Sequence, residues 1–183
     1  MTKRGNPKCV YPGLIAGLVL LCTLADAAAA APADPYTPLW LYNGSWQVTR
    51  KDKLPDAPPE KLVNQCSLVG HFFVCDQSVN GGPGALLIFI PTGKPGRYYT
   101  QNVRPEGRAA GRGDLEIQGD NWVYSSTWDE GGRTVYYRTT NVFRSRSHIH
   151  FEQAESTDNK SWVVKNSGEE IRSGGSGLKP ERR

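Results

Sequence analysis

Apolar and polar positions alternate in short runs along most of the chain, with the period of two that belongs to half-buried strands. In the first run Trp40, Tyr42, Gly44, Trp46 and Val48 share one face, and Leu41, Asn43, Ser45, Gln47 and Thr49 share the other. The aromatic face is read as the inner one. Trp122, Tyr124, Ser126 and Trp128 group in the same way, as do Ile149 and Phe151. Clusters of Gly, Pro, Asn and Asp interrupt the runs at 80–84, 91–96, 119–120, 130–132 and 157–160. This punctuation predicts strands near 40–49, 62–69, 72–79, 84–90, 97–104, 113–118, 121–128, 133–143, 147–156 and 161–171. Helical periodicity is absent, apart from a short helical turn suggested over Pro59 to Leu62. The expected fold is all-β, a single antiparallel up-and-down barrel of about ten strands in which closure removes exposed edges. A two-sheet sandwich is the alternative.

One run breaks the alternation. Ala85-Leu86-Leu87-Ile88-Phe89-Ile90 is apolar on both faces, so the outer side at Leu86, Ile88 and Ile90 needs cover from the N-terminal leader, a loop or a second copy in a homodimer.

Before the first strand the pattern changes. Lys3, Arg4 and Lys8 precede an apolar run from Leu14 to Leu24 and an alanine-rich stretch from Ala25 to Ala31. This order reads as a secretory signal peptide cleaved near Ala30, too short to serve as a membrane anchor. Cys22 follows Leu20 and Leu21, where a lipidation signal would have small residues. The expected organisation is a signal peptide over 1–30, a Pro- and Ala-rich leader over 31–39, the β domain over 40–172 and a flexible basic tail over 173–183. The expected address is the periplasm or the exterior of a bacterial cell. Without the signal peptide 19 basic and 17 acidic residues remain, a net charge near +2. That bias is too weak to argue for nucleic acid.

Only Cys66 and Cys75 survive cleavage, and an even pair in an exported chain should be oxidised. Val69-Gly70-His71-Phe72 reads as a two-residue hairpin turn with Gly70 where a positive φ is needed. Counting outward from that turn, Cys66 falls opposite Cys75 in a non-hydrogen-bonded pair, with Cα atoms about 4.5 Å apart. A disulfide can bridge that distance. Its expected role is structural.

Gly44-Ser45-Trp46 at the start of the meander, with Arg172 near the end of the last strand, resembles the lipocalin and calycin barrels, in which a late Arg packs over the Trp of an opening Gly-x-Trp. The chain also resembles a group of uncharacterised exported bacterial proteins with a calycin-like barrel. The shared features are the paired cysteines on a hairpin, the Gly111 to Leu115 segment Gly-Arg-Gly-Asp-Leu, and Glu155-Ser156-Thr157-Asp158 before Trp162. The resemblance spans roughly 40–172 and implies a fold; barrels of this shape host many unrelated activities.

Candidate chemistry is sparse. His148, His150 and Glu152 project from one face of a strand and form the weak candidate metal site, but Ile149 and Phe151 claim the opposite face for the core. The preferred reading is a solvated polar face with no metal and no cofactor. There is no Gly-x-Ser-x-Gly elbow and no free mature cysteine. Asp114, Glu116, Asp120, Asp129 and Glu130 cluster at turns, where carboxylates ordinarily cap the backbone. Arg112-Gly113-Asp114 is read as a turn entering a strand. Arginines near Tyr98, Tyr99, Tyr136 and Tyr137 suggest an anion surface, but alternation sends adjacent tyrosines to opposite faces. The expected function is therefore non-catalytic: a small apolar or amphipathic ligand held among Trp46, Trp122, Tyr124 and Trp128. The alternative is a protein-interaction module with a filled barrel that works through Leu86, Ile88 and Ile90.

Overall fold

The computed structural model describes residues 34–107 and 109–178. The segment read as a signal peptide, with Cys22 and Ala30, lies outside them, as do 31–33 and 179–183. Ten strands form one closed antiparallel barrel: β1 Gly44–Arg50, β2 Glu60–Val69, β3 Phe72–Val79, β4 Gly82–Pro91, β5 Arg97–Val103, β6 Ala109–Gln118, β7 Asn121–Glu130, β8 Arg133–Ser145, β9 His148–Ser156 and β10 Val163–Gly174. Each strand pairs with its sequence neighbours, and β1 closes the sheet on β10. The up-and-down barrel is the expected one, and the sandwich does not form.

Two boundaries differ from the sequence reading in ways that matter. The first strand begins at Gly44, not at Trp40, because Pro38–Tyr42 forms a 3-10 helix, η1, with the proline in its first turn. Leu39, Trp40 and Tyr42 are all buried there, more than one face of a strand would bury. Gly44 then turns the chain with φ of +131°. A side chain at this position would collide with the Gly174 carbonyl and the Arg172 guanidinium. The helical turn suggested at Pro59 to Leu62 does not occur, since Glu60–Leu62 opens β2. At the other terminus β10 runs to Gly174, so Ser173 and Gly174 belong to the sheet rather than to the tail, and Gly174 faces Ser45.

The β2–β3 hairpin has the expected register. Gly70 sits at φ +60°, and Val69 pairs with Phe72, Leu68 with Phe73, Ser67 with Val74 and Cys66 with Cys75. The two cysteines form a disulfide with Cα atoms 4.0 Å apart, the close spacing of a non-hydrogen-bonded pair.

The core lies at one end of the barrel, the end of the 70–71, 92–96, 119–120 and 146–147 turns. Trp46, Phe73, Phe89, Leu115, Trp122 and Ile149 are almost fully buried there, with Leu39 and Trp40 of η1 packed among them. Their rings meet edge to face, Trp40 on Phe73 at 4.8 Å and Tyr42 on Trp122 at 5.0 Å between centroids. Helix η1 is therefore a plug.

Candidate functional site

The plug is fixed by hydrogen bonds from the barrel wall. The Tyr36 hydroxyl donates to the His71 carbonyl and the Tyr98 hydroxyl to the Pro35 carbonyl. Trp46 Nε1 donates to the Tyr42 carbonyl at 3.1 Å. Arg172 lies over the Trp46 ring, 4.0 Å from its centroid, and donates to the carbonyls of Asn43 and Leu41. This guanidinium satisfies the carbonyls that the 3-10 helix leaves open at its C-terminal end and closes the aromatic base over Trp46.

Away from the plug the inner face becomes polar strand by strand. On β2 the inward series runs from Cys66 to Asn64, on β3 from Phe73 and Cys75 to Gln77, and on β5 from Tyr98 to Thr100 and Asn102. On β8 it runs from Phe143 to Asn141, Thr139 and Tyr137, on β9 from Phe151 to Gln153, and on β10 from Arg172 to Glu170. These side chains enclose a cavity of about 410 Å³ above the base. Its mouth is marked by Arg104 and Trp128, both exposed.

The cavity floor is a hydrogen-bonded cluster centred on the last residue of η1. Asn64 Nδ2 donates to the Tyr42 carbonyl at 3.2 Å, and Gln77 Nε2 donates to Asn64 Oδ1 at 2.9 Å. Asn141 Nδ2 donates to the Tyr42 hydroxyl at 2.6 Å. Burial raises the phenols of Tyr42 and Tyr124 above their ordinary range, and the charge of Glu170 adds to the effect on both. Three acceptors in this wall are left over. Asn141 Oδ1 and Asn102 Oδ1 are buried without a hydrogen-bond partner, and among the described residues no hydrogen bond or ion pair reaches the Glu170 carboxyl. Burial pushes that carboxyl up to about 7, against the opposing pull of Arg50.

The four aromatic residues expected to line a site divide between two roles. Trp46 and Trp122 are packed into the base, while Tyr124 and Trp128 stand on the cavity wall. The sequence reading missed the amides and Glu170 because it looked for apolar lining.

On the outer surface His148 and His150 share a partner that was not anticipated. Glu169 on β10 receives both, His148 Nε2 at 2.8 Å and His150 Nδ1 at 2.9 Å. Glu152 stands 3.8 Å from His150. Burial pushes the Glu169 carboxyl up, but hydrogen bonds from His150 and His148 and the charges of His150 and Arg144 outweigh it and hold the group below the usual carboxylate range. Among the described residues no three such groups are placed to hold a metal ion. Three of the acidic residues considered for hydrolysis have partners of their own. Glu116 pairs with Arg97, Asp129 caps the Gly132 amide and Glu130 pairs with Arg133. Tyr98 and Tyr99 do point to opposite faces: Tyr98 is buried, and Tyr99 lies outside under Arg112, 3.6 Å from its ring centroid.

Leu87 and Phe89 point inward, which places Leu86, Ile88 and Ile90 on the outer face. There Ile88 pairs with Val74, and Ile90, 37% exposed, pairs with Tyr99. Among the described residues no helix is long and apolar enough to cross a membrane, a statement that leaves strands aside.

No protein-family model matches the chain, and no curated protein matches it. Among solved structures it is similar to the crystal structure of Rv2717c from M. tuberculosis, with 15% identity, coverage of 78% of this chain and 98% of that one, and a TM-score of 0.45.

Proposed function

We propose that this protein is an exported, non-catalytic binding protein that holds a small amphipathic molecule in the open half of its barrel. The observation that carries the reading is the cavity of about 410 Å³, lined by Leu62, Leu87, Phe89, Tyr124 and Trp128 together with amides, hydroxyls and Glu170. Small-molecule sites are roughly 300 to 1,000 Å³, with a few placed polar groups in an otherwise apolar wall. A barrel that needed only to be stable would gain by filling this space with apolar side chains. Export is supported by the charged, apolar and small-residue order at the N-terminus and by the disulfide, which fits an oxidising compartment.

The test is a titration with 2-naphthol, a neutral probe whose emission reports its surroundings. One saturable site per chain is expected, and Ser126→Phe or Thr139→Phe, each filling the cavity from its wall, should abolish it while far-ultraviolet circular dichroism stays unchanged. Unchanged probe binding in both variants would place the site elsewhere and defeat the reading.

A second reading, a protein-interaction module, draws on the outward apolar row of Leu86, Ile88 and Ile90 beside Val74 and Tyr99. Under that reading a charge at Ile88 disrupts self-association or partner capture and leaves 2-naphthol binding intact.

A further inference from the structure

We propose that the ligand of this cavity carries a protonated nitrogen, an organic ammonium group, received by Glu170. The inference rests on the cavity being a ligand site and concerns what that site selects.

The argument is one of unmatched partners. Glu170 faces inward between Val48 of β1 and Ile149 of β9. Both are buried apolar residues and offer its carboxylate no donor, and Arg50, whose charge reaches it from β1, donates to Glu60 instead. The neighbouring amides do not help, since Asn141 spends its N–H on Tyr42 and leaves its oxygen unpaired, and the Asn102 oxygen is unpaired as well. The cavity therefore presents acceptors where a ligand would sit. A buried acceptor without a donor is costly, and a carboxylate more so. An anion would be repelled by Glu170, and a purely apolar molecule would leave the Asn102 and Asn141 oxygens and the Glu170 carboxyl without a donor. An ammonium group supplies both the charge and several N–H donors.

The rest of the wall suits the same chemistry. Tyr124, Tyr137 and Trp128 line the cavity, and the Trp128 and Tyr137 rings lie 5.4 Å apart. Aromatic faces attract cations, most strongly where water is excluded. The cation among the lining residues, Arg104, stands at the exposed mouth and not near the floor.

The groups that face Glu170 fix the pH dependence. Arg50 approaches from β1, Tyr42 from η1 and Tyr124 from β7, while Ile149 on β9 is apolar. On β10 itself Glu169 and Ile171 point outward, and Arg172 is committed to Trp46 and the η1 carbonyls. Burial holds both phenols neutral, so Glu170 is the group that titrates near neutrality. An ammonium ligand must find it ionised, and affinity rises as pH increases through about 7.

The test compares three probes of one shape on the mature protein by calorimetry: 2-phenylethylamine, 2-phenylethanol and 3-phenylpropionate. At pH 8 the amine should bind at least tenfold more tightly than the alcohol, and the carboxylate should bind least. The amine, protonated at both values, should bind about tenfold more weakly at pH 6, as expected for a partner that titrates near 7. Glu170→Gln should erase the preference for the amine over the alcohol and its pH dependence, and an unchanged far-ultraviolet circular dichroism spectrum shows that the variant is folded. Equal binding of all three probes, or a preference for the amine that survives Glu170→Gln, overturns the ammonium inference and leaves the cavity reading standing. Absence of binding by every probe to the wild type overturns both.

Discussion

Glu170 shows how one residue can serve a site at the expense of the fold. A Glu whose proton is held up to about 7 in the folded state, against an ordinary 4.5, favours folding most when it is neutral. Below pH 4.5 the group is protonated in both states. Between 4.5 and 7 the unfolded chain gives up the proton and the folded chain keeps it, so stability falls as pH rises and the loss is complete above 7. The size of the effect between pH 4.5 and pH 8 is on the order of 3 kcal/mol, from about 1.4 kcal/mol per pH unit. Chemical denaturation at pH 4.5 and pH 8 checks this. Glu170→Gln should gain that much on the wild type between the two values, whereas an equal gap at both would mean that the carboxyl is not held neutral by its surroundings. Glu169, one position along, points outward to His148 and His150 and is shifted the opposite way. Alternation along β10 separates the two carboxylates into unlike environments.

At the scale of elements the sequence was most informative where a turn fixed the count. Gly70 set the β2–β3 register, and with it the pairing of Cys66 and Cys75. That bridge closes a loop of about ten residues and should contribute about 2 to 3 kcal/mol through the unfolded chain. The Cys66→Ser/Cys75→Ser double variant should therefore lose that amount of unfolding free energy, read as a lower midpoint in urea, with 2-naphthol binding retained below the transition. An unchanged midpoint would deny the bridge its structural role. Helix η1 was not legible, because Trp40 and Tyr42 fit the period-two pattern of the following strand by coincidence of spacing. Pro38 carried the contrary signal, a start for a helical turn. The link from His148 and His150 to Glu169 was equally hidden, since it depends on the β9–β10 register, which shifts between Val164 and Asn166.

Across the whole molecule the informative feature is the division of the barrel along its axis. One end is packed with aromatic side chains around η1, and the other keeps an open volume ringed by amides, hydroxyls and Glu170. Inward and outward faces were readable from alternation; the gradient from apolar to polar was not. Several strands contribute inner polar residues at different sequence offsets, and only the closed register brings them into one cavity wall. Asn64, Asn102, Asn141, Gln153 and Glu170 are separated in the chain and share a wall. That wall is the basis of the binding function proposed here. The most direct measurement is native mass spectrometry of the mature protein purified from the envelope of its own cell without refolding, beside the Ser126→Phe variant prepared in the same way. The account predicts a reproducible adduct of a few hundred daltons on the wild type that is released on denaturation and missing from the variant. A bare wild-type chain, or an adduct that persists undiminished when the cavity is filled, would contradict it.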